Sequence, residues 1–211
     1  EVMALASGAL VIGARPGPEQ LRAGFVYLAA THLATAALTI GFAILAAAAD
    51  GQLGFGAWAA AASGLDPRTL DAVFLLFVVG FGTKAGVMPF HVWLPRAHPA
   101  APSHVSALMS GVMIKTGIYG LVRLVGDVLG GGPEWWGLLL IGLGAASAVL
   151  GVLYALMEYD LKRLLAFSSI ENIGIILIAV GAAFTLQAHG LDGAAAVALV
   201  AALLHSLNHA L

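Results

Sequence analysis

Lys84 and Lys115 fall in the middle of long apolar runs, where no loop can hold their charge, and His205 and His209 stand four residues apart in a third such run. An ammonium at the centre of a membrane-spanning helix costs about 2.5–3.5 kcal/mol on insertion scales, so a lysine kept there normally faces a wet cavity or a partner. The chemistry open to it is proton carriage. Burial disfavours the charged form of a lysine and a neighbouring carboxylate restores it, so a carboxylate that moves toward or away from the amine loads or releases a proton. The alternative is an inert buried ion pair, or a side chain that snorkels to the interface.

Lys84 lies in Gly80-Phe81-Gly82-Thr83-Lys84-Ala85-Gly86-Val87-Met88-Pro89. Pro89 has no N–H for the carbonyl of Ala85, and the glycines thin the backbone around the lysine. This predicts a bent or broken helix beside the charge, with carbonyls released toward water or the ammonium. An ordinary proline kink is the plainer reading of the same residues. The HxxxH spacing puts His205 and His209 on one helix face, about 6 Å apart along the axis. Such spacing can bind zinc, but no acidic residue follows His205 as in HExxH and no third ligand is evident. Relay histidines are the better reading, with polar packing against Ser206 and Asn208 as the alternative. Glu171 lies about 12 Å into its helix, either as an intramembrane carboxylate or near enough to the surface to stay solvated.

Helices must hold these groups at depth, and composition supplies them. The chain is 61% hydrophobic and 9% charged with a mean hydropathy of +0.98, where soluble domains are about a quarter charged. The expected fold is an all-α polytopic membrane bundle, with a broken helix near Lys84, five full spans and two partial ones. The full spans cover residues 23–49, 69–94 (interrupted by Pro89 and Pro95), 103–125 (with Ser103 as N-cap), 135–157 and 164–183. Residues 1–13 and those from about 194 onward are partial spans, and 50–68 is a long loop or interfacial segment. Both ends lie in apolar runs and no initiator Met or signal peptide is visible, so residues 1–211 are expected to be one transmembrane domain truncated at both ends. Trp93, Trp135 and Trp136 suit interfacial belts.

The chain has no cysteine, so no thiolate-held iron–sulfur cluster, disulfide or thiol nucleophile is available. Redox chemistry is therefore expected elsewhere, with no cofactor in this chain. A net charge of −2 and the lack of a basic stretch set nucleic acid aside as a partner. Assigning loops to alternate sides puts Arg15, Arg22, Arg96, Lys162 and Arg163 on one side and Arg68 and Arg123 on the other, which makes the first side cytoplasmic.

The run from Gly82 through Pro89-Phe90-His91-Val92-Trp93-Leu94-Pro95-Arg96-Ala97-His98-Pro99-Ala100-Ala101-Pro102-Ser103, with Val105-Ser106-Ala107-Leu108-Met109 and Lys115-Thr116-Gly117-Ile118-Tyr119-Gly120, resembles the antiporter-like subunits of respiratory complex I. Asp160-Leu161-Lys162-Arg163-Leu164-Leu165-Ala166-Phe167-Ser168-Ser169 resembles the same family further along. The wording around Ala97-His98-Pro99 and Met109-Ser110-Gly111-Val112-Met113-Ile114-Lys115 resembles in particular the membrane subunits of hydrogenase-4 (component B type) and formate hydrogenlyase, relatives of the complex I and Mrp antiporter subunits.

The resemblance covers essentially the whole chain and implies inverted helix repeats. It matches Glu1 to the family's key glutamate, Lys84 to the lysine partner on a broken helix, Lys115 to a bridging lysine, and His205 and His209 to relay histidines. The family's exit group, on a later helix, has no counterpart among these residues. Glu171-Asn172 departs from the pattern, which often has a neutral residue followed by histidine or glutamine. The implied role is a non-redox subunit that moves H⁺ through buried Glu, Lys and His groups of an oxidoreductase complex in the bacterial cytoplasmic (inner) membrane. The implied partners are the lipid bilayer, other membrane subunits and, through them, a peripheral redox arm. A Na⁺/H⁺ antiporter subunit of the Mrp type and a non-pumping hydrogenase anchor are the alternatives.

Overall fold

The computed structural model describes residues 2–13 and 17–211, so Glu1 and Arg15 lie outside the described residues. The described residues form helices α1 (Val2–Ile12), α2 (Pro18–Ala48), α3 (Phe55–Ala62), α4 (Pro67–Ala85), α5 (Leu94–Ala100), α6 (Ser103–Leu108), α7 (Ile114–Leu121), α8 (Glu134–Leu156), α9 (Leu161–Ala188) and α10 (Asp192–Ala210). Two π-helical stretches, Met109–Met113 and Val122–Val128, make α6 and α7 parts of one continuous 26-residue helix. Six stretches among the described residues are long and apolar enough to cross a membrane, and α1 is a shorter apolar helix. The polytopic helical reading is therefore borne out. The last run, expected to be partial, is itself long enough to cross at 19 residues.

Several local expectations need correction. Residues 50–68 contain the short helix α3, whose Trp58 packs on Phe42 of α2. Ser103 is the first helical residue of α6 and makes no capping bond; the preceding Pro102 holds the N-cap position. Pro95 does not interrupt a helix but opens α5, where its missing N–H is one that no helix would bond. The span expected to end at residue 125 continues to Val128 because the second π-helical stretch extends it.

The expected break beside Lys84 is present, but glycine makes it before proline is reached. Gly86 adopts φ 77°, a left-handed conformation that costs a glycine little. Its N–H donates to the carbonyl of Thr83, and that of Val87 donates to the carbonyl of Gly82, which together close α4 as a Schellman motif. Residues 86–93 then run without regular helix until α5 starts. Trp93 is not an interfacial residue: it is fully buried, and its indole Nε1–H donates to the Thr83 carbonyl at 2.8 Å. Ser147 of α8 braces the same segment by accepting the Met88 N–H at 2.9 Å.

Trp136 is also buried, stacked on Phe74 with ring centroids 4.2 Å apart, and it donates to Asp71. Only Trp135 of the three keeps substantial exposure. Helices α8 and α9 meet through small residues that let their backbones touch, as expected where lipid removes the hydrophobic drive between helices. A Cβ on Gly144 would stand 2.7 Å from the Gly174 carbonyl oxygen, and one on Gly137 would stand 2.6 Å from that of Gly181.

Candidate functional site

Lys84 occupies the last turn of α4, half-buried, where the negative end of the helix dipole favours a cation. Helix α7 crosses α4 at this level. A Cβ on Gly117 would lie 2.7 Å from the Phe81 carbonyl oxygen and 2.8 Å from the Ala85 backbone nitrogen, so the backbones are in contact one residue from Lys84. Lys115 is two residues before that contact. The lysines thus belong to adjoining helix segments, one at the break and one just past a π-helical stretch.

The π-helical stretch shapes the surroundings of Lys115. Such stretches widen the helix and leave backbone groups out of the i→i−4 ladder, and they are frequent at functional sites. The Ser110 carbonyl, within the stretch, accepts from Lys115 Nζ. The same ammonium donates to Nδ1 of His209 on α10 at 2.5 Å. The Ser110 hydroxyl shares a 2.8 Å hydrogen bond with that of Ser169 on α9. Three helical segments therefore meet at Lys115 through hydrogen bonds.

His205 lies one turn before His209 on α10 and is bound to α9, with Nε2 3.0 Å from Oδ1 of Asn172. The amide's other end decides the proton's place. Asn172 Nδ2 donates to the Ser168 carbonyl at 2.8 Å, an oxygen that can only accept, so Oδ1 is the atom turned to the imidazole. An amide oxygen can only accept as well, so His205 carries a hydrogen on Nε2, and the neutral ring is the tautomer with Nδ1 bare. At His209 the ammonium donor requires Nδ1 to be bare and Nε2 to hold the hydrogen. Both imidazoles are thus assigned the same tautomer, with Nδ1 open to an incoming proton.

The structure joins Lys115 to His209 by a hydrogen bond, sets His205 one turn away on α10 where it bonds Asn172 of α9, and places Lys84 on the helix adjoining Lys115. Polar packing of the histidines against Ser206 and Asn208 is not what is found: the Ser206 hydroxyl donates to the Ala202 carbonyl of its own helix, and His205 bonds across to Asn172. Glu171 is half-buried against α8, where its backbone would meet a Cβ on Gly151, and it makes no ion pair among the described residues. Glu1 lies outside the described residues. Among those residues no cluster of three or more His, Cys, Asp or Glu side chains could hold a metal ion.

Ser110 and Ser169 were given no role by the sequence, and Asn172 stood out only as part of the Glu171-Asn172 departure from the family pattern. A signal was present: Ser169 and Asn172 are three residues apart in a mostly apolar helix, so they share a face.

Residues 1–210 match the family model described as NADH:quinone oxidoreductase/Mrp antiporter, transmembrane. The chain is 50% identical over 214 residues to hydrogenase-4 component B of Escherichia coli (strain K12), covering all of this chain and 31% of that protein. A chain of the membrane-bound sulfane sulfur reductase, an archaeal respiratory membrane complex, superposes with a TM-score of 0.79 at 25% identity, covering 99% of this chain and 40% of its own. A chain of the Mrp complex from Dietzia sp. DQ12-45-1b superposes with a TM-score of 0.75 at 27% identity, covering 97% of this chain and 40% of its own. The chain thus spans less than half the length of each of these relatives.

Proposed function

Because the chain belongs to the NADH:quinone oxidoreductase/Mrp antiporter transmembrane family, we propose that it is the proton-carrying middle of a membrane subunit in a redox-driven complex of the hydrogenase-4, formate hydrogenlyase or NADH-quinone oxidoreductase type. The observation that carries this reading is the Lys115–His209 hydrogen bond, which joins a membrane-depth ammonium to a bare imidazole nitrogen on another helix. Moving the shared proton from Nζ to Nδ1 leaves a neutral amine and an imidazolium. His205, one turn away with its own Nδ1 bare, is the next acceptor.

Lys84 is the switched carrier in this scheme. It sits at a helix end, and Glu1 is its modulator by resemblance. The complex would sit in the bacterial cytoplasmic membrane beside other membrane subunits, with electrons handled in a peripheral arm and H⁺ as the ion. The test is the proton-to-electron ratio of the assembled complex in sealed vesicles, with Lys84→Ala and Lys115→Ala in the full-length subunit. A fall in both variants supports the reading, and an unchanged ratio in both overturns it.

The likeness to the Dietzia Mrp complex favours a second reading, in which the same groups exchange Na⁺ for H⁺. Sodium dependence of proton flux in those vesicles separates the two. Flux that is indifferent to sodium leaves the first.

A further inference from the structure

We infer that a cleft at one end of the bundle is a binding site for a phosphate-ester anion, with a phospholipid headgroup as the source its surroundings favour. The cleft encloses about 510 Å³ between the start of α2, the α5 region and the start of α9. It is lined by three guanidinium-bearing residues, Arg22, Arg96 and Arg163, together with His91, Glu19 and Phe167. None of this belongs to the lysine–histidine region, and the inference does not depend on proton transport.

The charges around the cleft are not balanced. Arg163 is held by Glu158 at 2.9 Å. The guanidinium groups of Arg22 and Arg96 make no hydrogen bond or ion pair among the described residues, and Glu19 is the one carboxylate in the lining. A second observation concerns His91, whose Nδ1 is buried with no hydrogen-bond partner, although buried polar atoms normally have one. Unpaired guanidinium forks match the oxygens of a phosphate in geometry and charge, which a lone carboxylate does not offset.

Position selects the source. The cleft lies where α2 and α9 begin, at the level of the helix ends. Leu21 and Phe25, on the two sides of Arg22 along α2, are 51% and 73% exposed and offer apolar surface to acyl chains. The distribution of Lys and Arg puts this end on the cytoplasmic side, where basic pockets between transmembrane helices take phosphorylated headgroups.

The experiment uses the full-length subunit in its complex, purified in detergent and stripped of lipid. Tetraoleoyl cardiolipin, phosphatidylcholine and sodium pyrophosphate serve as probes, with retention followed by native mass spectrometry and thermal shift. Arg22→Ala with Arg96→Ala is expected to weaken cardiolipin binding at least tenfold, while Arg68→Ala, at the other end of the bundle, leaves it unchanged. Arg22→Lys with Arg96→Lys keeps the charge without the fork and is expected to fall between, which separates loss of the site from loss of fold. Pyrophosphate binding that the alanine pair also weakens would assign the site to a soluble phosphoryl anion and uphold the anion-binding chemistry. Equal cardiolipin binding in the wild type and the alanine pair, or in the alanine pair and Arg68→Ala, would overturn it.

Discussion

Asn172 on α9 accepts a hydrogen bond from His205 on α10 through Oδ1 while its Nδ2 is committed to the Ser168 carbonyl, so a side chain that cannot titrate sets the tautomer of one that can. A hydrogen bond of this kind contributes about 0.5–1.5 kcal/mol net, which is roughly a two- to tenfold preference for one tautomer. Asn172→Leu is therefore expected to give a mixture of the two His205 tautomers and to slow proton translocation several-fold without loss of assembly. Nitrogen-15 NMR of histidine-labelled complex reads the tautomer directly. A wild-type spectrum with His205 protonated on Nδ1 would sink the assignment, whatever the pumping rate.

Lys115 and His209 share one hydrogen bond, so their removals should not add. Lys115→Met and His209→Leu are each expected to lower proton flux in proteoliposomes by tenfold or more, and the double variant to be no worse than the poorer single. Additive losses would show two independent steps.

The brace between Trp93 and Thr83 predicts a stability effect with little change in shape. Trp93→Phe keeps an aromatic ring near Tyr27, whose centroid lies 5.0 Å from that of Trp93, but leaves the Thr83 carbonyl without the indole donor. Removing one partner of a buried hydrogen bond costs about 1–3 kcal/mol. The purified subunit should unfold at a lower temperature in detergent, and restoration by added lipid alone would argue against the brace.

Helix contact between α8 and α9 makes a sharper contrast. Gly144→Leu would drive a side chain into the backbone at Gly174 and Ile178, whereas Gly142 has no atom within 4 Å of its would-be Cβ. Gly144→Leu is expected to abolish accumulation of the subunit in membranes and Gly142→Leu to be tolerated, as scored by immunoblot of membrane fractions. Equal loss in both would show that the close approach at Gly174 does not set the outcome, since leucine is the better helix former at either position.

Much of this was legible in the residue order because membrane solvent imposes a simple rule. Twenty or so apolar residues must pair their own backbone groups as helix, so span number followed from composition, and Lys84 and Lys115 stood out as charges with no loop to occupy. The helix break beside Lys84 was also local, since glycine and proline act on their own backbone. Its mechanism was less so: the proline suggested the break, yet the Gly86 closure makes it. The tryptophans misled because an indole at a helix end suits an interface as well as a core, and only packing places Trp93 on Thr83 and Trp136 on Phe74.

What the sequence by itself determined is therefore the class of solvent, the helices and the identity of the ionisable groups at depth, all properties of short windows. What only the tertiary structure decided is who meets whom. That His209 faces Lys115, that Asn172 holds His205, and that Ser110 and Ser169 join α9 to the π-helical stretch depend on helix rotation and crossing. Those are set by backbone contacts at glycines such as Gly117 and Gly144, between residues far apart in the chain. Lipid does not discriminate one apolar face from another, so the choice of face falls to that close packing.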